Sequence, residues 1–153
     1  MIRLYISSES TETYLYRRDV LTRLATRICG GELEDAVGIE VSVLFCDDEK
    51  IRSLNKAYRN KDAATDVLSF EQGDSPIPGE RLLGDIVISL ETVAGRNDGN
   101  RDAMRDDVRL LFCHGMLHLL GYDHGTVAER QTMNAKQAHY LGVHMEAAWR
   151  TDS

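Results

Sequence analysis

The segment from His114 to His124, which reads HGMLHLLGYDH, constrains the fold of this chain more than any other. His114 and His118 lie four residues apart, so on a helix both imidazoles leave the same face, one turn apart. Residues 110–120 are apolar nearly all round, which predicts a buried helix. Gly121 can adopt the left-handed conformation that ends a helix, and the turn brings His124 to the same point. The segment therefore predicts three imidazoles that meet at the end of a long buried helix.

The remaining hydrophobic pattern predicts a single domain of the α+β class over residues 1–153. Alternating apolar residues indicate strands that begin near residues 2, 39, 66 and 82. The first predicted helix ends at Gly30-Gly31, and the second is capped by Asp47 or Asp48. The third is capped by Ser89, the fourth by Asn100 or Asp102, and the last runs from Val127 to Leu141. Residues 72–81, which hold both prolines, indicate a surface loop. The order βαβαββααα predicts one mixed sheet of about four strands with about five helices.

The histidine spacing predicts a metal site with His114, His118 and His124 as ligands. Burying three imidazoles in so short an apolar segment is costly without a shared partner, which argues against histidines that merely fill a core. Three protein ligands leave a fourth position of a zinc ion open to water, which is typical of catalytic sites. Cys113 points away from the pair, so we expect it to be a core thiol. His139 and His144 are expected to be structural or exposed.

The spacing also matches the metzincin pattern H-E-x-x-H-x-x-G-x-x-H, with one informative departure. Gly115 stands where those peptidases carry the glutamate that takes a proton from water, which argues against a peptidase. Gly115 has two interpretations: close approach of a substrate over the metal, or tight packing of the helix. Asp85 and Asp123 are candidate carboxylates to orient a ligand histidine.

A basic stretch upstream offers a partner for phosphate. Arg59 can form a bidentate fork on a phosphate group, and Lys61 adds a second charge on the same predicted loop. The net charge of −7 argues mildly against a polyanionic partner, so a basic groove would have to be local. The stretch is either a solvated helix face or one wall of a groove for RNA; its basic residues are Lys50, Arg52, Lys56, Arg59 and Lys61.

Three blocks of the sequence stand out together, and they read LNKAYRNKDAATDVLSF at 54–70, GDIVIS at 84–89 and HGMLHLLGYDH at 114–124. In this order they resemble the YbeY family of bacterial rRNA maturation endoribonucleases. The sequence departs from the family at Ala64 and Glu71, where proline is usual, and at Gln137, where an acidic residue is usual. The resemblance implies one zinc ion per chain on His114, His118 and His124, and a functional role for Arg59 beside the metal cleft.

The resemblance further implies a zinc-dependent endoribonuclease, specific for single strands, that acts in maturation of the 3′ end of 16S rRNA and in ribosome quality control. The implied partners are rRNA of the small ribosomal subunit and ribosomal proteins, without DNA, a membrane or an organic cofactor. Two alternatives are a non-catalytic ribosome assembly factor with a structural zinc and a metal-dependent hydrolase of another substrate. The odd count of cysteines at wide spacings and the lack of a signal peptide pattern predict a cytoplasmic protein.

Overall fold

A mixed sheet of four strands, in the order β1-β2-β4-β3, forms the frame of the computed structural model, which describes residues 2–74 and 82–149. The strands are β1 (Ile2–Ser8), β2 (Ile39–Cys46), β3 (Val67–Glu71) and β4 (Leu82–Ser89). The helices are α1 (Arg18–Glu32), α2 (Asp48–Arg59), α3 (Leu90–Arg96), α4 (Arg101–Leu119) and α5 (Val127–Leu141). Short 3₁₀ turns occupy Gln72–Asp74 and Met145–Ala147. This order and the α+β class confirm the prediction from sequence.

β3 is an edge strand because it stands last in the sheet order β1-β2-β4-β3. β1, β2 and β4 run parallel, whereas β3 pairs antiparallel with β4, from Val67 opposite Ile88 to Glu71 opposite Gly84. The parallel pairs follow from helical crossovers, and the short connection from β3 to β4 permits the antiparallel pair. One long side of β3 therefore faces away from the sheet, toward the end of α4 that carries the histidines.

The two faces of the sheet build two separate apolar clusters, because successive side chains of a strand point to opposite faces. Ile86 and Ile88 of β4 face α1 and α4 and join the larger cluster. Phe70 and Val87 face α2 and pack with Ile51 in the smaller one. The long helix α4 thus lies against one sheet face, which fixes where its histidines emerge.

Gly115 lets α4 lie close to β4. A methyl group at this position would come within 2.9 Å of Cγ2 of Ile86 and 3.1 Å of its Cδ1, well inside the usual carbon–carbon separation of about 3.5–4.0 Å. Of the two interpretations of Gly115, the structure therefore supports tight packing of the helix on the sheet.

Most predicted helix boundaries are correct, and two are not. Ser89 and Asn100 cap α3 and α4 through their side chains, as expected. The α1 helix does not end at Gly30-Gly31 but continues to Glu32, and Gly31 instead leaves room for the ring of Tyr140 against the helix. Asp47 precedes α2 without capping it, since its carboxylate binds Ser10 and Thr11.

Two other predicted segments shift or are only partly described. The third strand was expected at 66–70 and covers Val67–Glu71. Of the loop predicted at 72–81, residues 75–81 lie outside the described part of the chain.

A buried ionic cluster joins β3, α3 and α4. Arg96 binds Asp107 at 2.7 Å through Nε and Nη2, and its Nη1 lies 2.8 Å from the carboxylate of Asp66. Burial alone would lower the pKa of Arg96, but the hydrogen bonds to both carboxylates outweigh it and raise the pKa. The cluster fixes the start of β3 relative to the helix that carries the histidines.

Candidate metal centre

The structure brings together the three histidines that the sequence singled out. His114 and His118 leave the same face of α4, and their Nε2 atoms lie 3.0 Å apart. Gly121 has a φ of +101°, and the turn closes as Gly121 and Tyr122 donate backbone hydrogen bonds to His118 and Leu117. Because of this turn, one ligand atom from each of His114, His118 and His124 lies within 4.8 Å of the others.

The hydrogen bonds at the outer ring nitrogens determine the tautomers of two of these histidines. Nδ1 of His118 lies 2.9 Å from the carbonyl oxygen of Tyr122, which can only accept, so this nitrogen carries the hydrogen. Nδ1 of His114 lies 2.7 Å from Oε1 of Gln137, and the Gln137 amide nitrogen donates to the carbonyl of Ala148. His114 therefore also donates through Nδ1.

With both hydrogens on Nδ1, the Nε2 lone pairs of His114 and His118 face each other. Two lone pairs at this separation repel unless a cation lies between them. Neutral imidazole nitrogens bind zinc at about 2.0–2.1 Å, so the donor set fits a metal ion. The His114, His118 and His124 group can thus hold a metal, and the chemistry of its hydrogen bonds agrees with that use.

The sequence predicts that Asp85 or Asp123 orients a histidine ring, and the structure rules out only Asp85. Asp85 lies on the opposite face of the sheet, where it lines a cavity with Ser42 and Lys50. Asp123 lines the same cleft as the histidines, but its carboxylate accepts a 2.7 Å bond from the backbone N–H of His124. The groups that accept hydrogen bonds from the rings of His114 and His118 are Gln137 and the Tyr122 carbonyl. The sequence had singled out only Gln137 of these two, as a departure from the family pattern.

An aromatic side chain near the C-terminus packs on the outer side of the histidine group. The ring of Trp149 meets His114 and His124 edge-on, with centroids 5.0 Å and 5.2 Å away. The guanidinium of Arg130 lies 4.7 Å from the centroid of the Trp149 ring. Sequence reasoning gave neither Trp149 nor Arg130 a role, because the sequence around them carries no motif.

The turn that carries His124 is anchored to α1. The carboxylate of Glu32 accepts hydrogen bonds from the hydroxyls of Tyr122 and Tyr140 and from Lys136. Burial of Glu32 alone would raise its pKa, but these three donors outweigh it and lower the pKa. The bond to Glu32 holds the Tyr122 side chain, while the Tyr122 backbone holds His118.

A cleft of about 710 Å³ opens in front of the histidines, and Arg59 and Lys61 line it together with the edge of β3. Nη2 of Arg59 donates to the carbonyl of Ser69 at 2.7 Å, and its guanidinium lies 4.7 Å from the centroid of the Phe70 ring. Arg59 is therefore positioned at the cleft although it is exposed. The structure places the predicted phosphate-binding side chain and the predicted metal ligands around one cavity.

Only the end of the basic stretch reaches this cleft. Lys50 lines a separate cavity with Asp85, and Arg52 pairs with Asp62 at 2.7 Å. The wall predicted for the whole stretch is thus restricted to Arg59 and Lys61 among the residues that line the cleft.

The other candidate ligands in the described chain lie elsewhere. Cys29, Cys46 and Cys113 are buried, and burial raises the pKa of Cys29 to about 11 and of the other two to about 12, so these thiols stay protonated. His139 and His144 are exposed, in agreement with the prediction. Within residues 2–74 and 82–149, none of the helices combines the length and apolarity that crossing a membrane requires.

Several known proteins are similar to this chain. The family model described as "Endoribonuclease YbeY" matches residues 6–144. An Endoribonuclease YbeY of Anaeromyxobacter sp. (strain Fw109-5) is 43% identical over 133 residues, which cover 87% of this chain and 67% of that protein. Its counterpart in Geobacillus kaustophilus (strain HTA426) is 45% identical over 112 residues, or 68% and 72% of the two chains.

A solved structure is also similar. The solution structure of TM1509 from Thermotoga maritima superimposes with a TM-score of 0.58 at 28% identity, over 92% of this chain and 87% of that one. Since the family model covers most of the sequence, including the basic loop and all three histidines, the chain belongs to the YbeY family.

Proposed function

We propose that residues 1–153 form a single metallo-hydrolase domain that cleaves single-stranded RNA as a zinc-dependent endoribonuclease. The observation that carries the proposal is the cleft itself, which is lined by three convergent imidazoles and by the positioned Arg59 guanidinium. Family membership and the printed names of the relatives support the reaction class.

In this proposal His114, His118 and His124 hold one zinc ion per chain through nitrogen atoms that carry lone pairs. Zinc, when bound, supplies Lewis-acid activation of a phosphodiester oxygen and makes water more acidic. The residues behind the histidines keep two of the rings in the right tautomer: Gln137 accepts from His114, and Tyr122 accepts from His118.

Arg59 acts on the phosphate. Its planar guanidinium presents donors to two phosphate oxygens and opposes the negative charge that grows on them in the transition state. The bond to Ser69 and the contact with the Phe70 ring hold the group in place before substrate arrives, so little rotamer freedom is lost on binding. Lys61 adds a point charge along the same cleft.

The substrate, as the family resemblance implies, is rRNA of the small ribosomal subunit, with cleavage at the 3′ end of 16S rRNA in the cytoplasm and with ribosomal proteins as further partners. Gly115 removes the glutamate that a peptidase of this spacing needs, and it packs on Ile86 instead. RNA carries its own nucleophile in the 2′-hydroxyl, so the absence of that glutamate does not prevent its cleavage.

The test is to measure bound metal on the purified chain and then to assay single-stranded RNA, the matching duplex and a peptide pool. We expect cleavage of the single strand alone, its loss in His114→Ala and a strong decrease in Arg59→Ala. Arg23→Ala, which removes an exposed arginine of α1, serves as the matched control and should cleave normally.

The outcomes separate the alternatives. Full metal content with no RNA cleavage would refute the enzyme and favour an assembly factor with a structural zinc. Cleavage of the peptide pool would favour a hydrolase of another substrate. Undiminished cleavage by Arg59→Ala would refute the role of Arg59 while leaving the metal site intact.

A further inference from the structure

Gln137 is fully buried on α5 between a proposed metal ligand and the C-terminal segment. Its amide oxygen lies 2.7 Å from Nδ1 of His114, and its amide nitrogen donates to the carbonyl of Ala148. A carbonyl oxygen can only accept, so the amide nitrogen must face Ala148. The amide oxygen is then the acceptor for His114, so each polar atom of the Gln137 side chain has an assigned hydrogen-bond partner.

The C-terminal segment, residues 145–149, is held by one face of α5. Arg130, Asn134 and Gln137 are spaced four and three residues apart, so they lie along the same side of the helix. Asn134 donates to the carbonyl of Met145 at 3.1 Å, and Arg130 stacks on Trp149. The segment in turn places Trp149 against His114 and His124.

We propose that Gln137 is a positioning residue that links metal binding to docking of the C-terminal segment. Through its oxygen it fixes the tautomer that directs the Nε2 lone pair of His114 into the site, and through its nitrogen it holds the segment against the same histidines. Such a coupling is reciprocal: the metal stabilises the docked segment, and the docked segment strengthens metal binding. The inference rests on the metal site of the proposed function.

The first experiment measures the affinity for Zn²⁺ by competition with a chelator. Gln137→Leu removes both hydrogen bonds at similar volume, and we expect affinity to fall about 10- to 100-fold. Gln137→Glu keeps an acceptor for His114, so its affinity should stay far above that of Gln137→Leu. Gln131→Leu, an exposed position of the same helix, is the matched control and should bind as the wild type does.

The second experiment uses Trp149, the one tryptophan of the chain, as a probe of the segment. Quenching of its fluorescence by acrylamide should decrease when Zn²⁺ binds to the wild type. Gln137→Glu cannot donate to Ala148, and Asn134→Ala cannot donate to Met145, so both should be quenched more strongly than the wild type. Asn134→Ala, which leaves Gln137 and the histidines unchanged, should also weaken Zn²⁺ binding, by about fivefold or more.

The possible outcomes test the proposed function and the role of Gln137 separately. A wild type that binds no metal would overturn both the proposed function and this inference. If the wild type binds Zn²⁺ and Gln137→Leu binds it equally well, only the role of Gln137 in orienting His114 is refuted. If Trp149 is quenched equally with and without Zn²⁺, or Asn134→Ala binds Zn²⁺ as the wild type does, the linkage is refuted. Because Gln137→Glu and Asn134→Ala are tested separately, a Gln137→Leu chain that fails to fold does not remove the test.

Discussion

Gly115→Ala tests whether helix α4 can lie close to the sheet only because residue 115 has no side chain. Alanine is the better helix former by about 1 kcal/mol, so in an open helix position this change stabilises. Here the new methyl group would lie 2.9 Å from Cγ2 and 3.1 Å from two other carbons of Ile86. Inserting a methyl into a packed core costs about 1–3 kcal/mol. Subtracting the gain in helix propensity from the cost of overpacking leaves a net destabilisation of about 0–2 kcal/mol.

The assay is thermal and denaturant unfolding of the metal-free chain. A loss of about 1 kcal/mol in a chain of this size lowers Tm by about 2–4 °C. Gly30→Ala on α1 is the matched control, because a methyl group there would meet nothing within 4 Å. It should keep the propensity gain and raise stability by up to about 1 kcal/mol.

A second substitution identifies the clash. Ile86→Val removes Cδ1, one of the carbons that crowd the new methyl group, and by itself costs about 0.5–1.5 kcal/mol. Combined with Gly115→Ala, it should cost less than the sum of the two single changes. If Gly115→Ala raises Tm as Gly30→Ala does, or if the double variant is strictly additive, the packing argument is wrong.

Three further predictions concern the ionic cluster, the anchor of the turn and the cleft. Arg96→Met leaves the buried carboxylates of Asp66 and Asp107 without their cation and should cost about 3–5 kcal/mol in denaturant unfolding; a loss below 1 kcal/mol would contradict the cluster's role. Folding lowers the pKa of Glu32, because Tyr122 and its other donors bind the charged carboxylate. These bonds stabilise the protein at pH values above the ordinary pKa of about 4.5. The stabilisation is lost as the pH falls through the lower pKa of the folded state. Glu32→Gln should therefore be less stable than the wild type at pH 7 and differ less from it at pH 4 in the same unfolding assay; an equal difference at both pH values would refute the linkage. The affinity for a single-stranded RNA should fall as the salt concentration increases. The slope of log affinity against log salt concentration should be smaller in Lys61→Ala, and an affinity independent of salt would contradict a basic cleft.

The sequence was most informative where structure is local. The alternation of β1 and β2 and the apolar run of α4 depend on neighbours along the chain, so element order and class followed directly. The histidine cluster was equally accessible, because a helical turn and one left-handed glycine fix the relative positions of His114, His118 and His124. Gly31 was misread as a helix end since its role is to admit Tyr140, a contact between helices far apart in sequence.

The partners of the histidines were inaccessible for the same reason. Gln137 and Trp149 reach His114 only because α5 and the C-terminal segment fold back over α4. Trp149 sits in no motif, and Gln137 stood out only as a departure from the family pattern. Asp85 was a reasonable candidate by residue type, but the phase of the alternation in β4 sends it to the face that α2 covers. Which face a polar strand residue occupies is decided by the packing of the whole sheet, and the residue's own identity does not reveal it.

The edge strand β3 explains how two distant segments come to face one cleft. The carbonyl of Ser69 accepts the hydrogen bond that holds Arg59, and the Ser69 hydroxyl donates at 3.4 Å to the carbonyl of Gly115 on α4. One residue of β3 thus contacts both the proposed phosphate-binding group and the helix of the proposed metal ligands. Because β3 is also fixed through Asp66 to Arg96 and Asp107, the separation of Arg59 from the histidines is set by rigid elements rather than by the exposed loop. A shift of α4 away from the sheet, as Gly115→Ala should cause, would therefore disturb both halves of the site together.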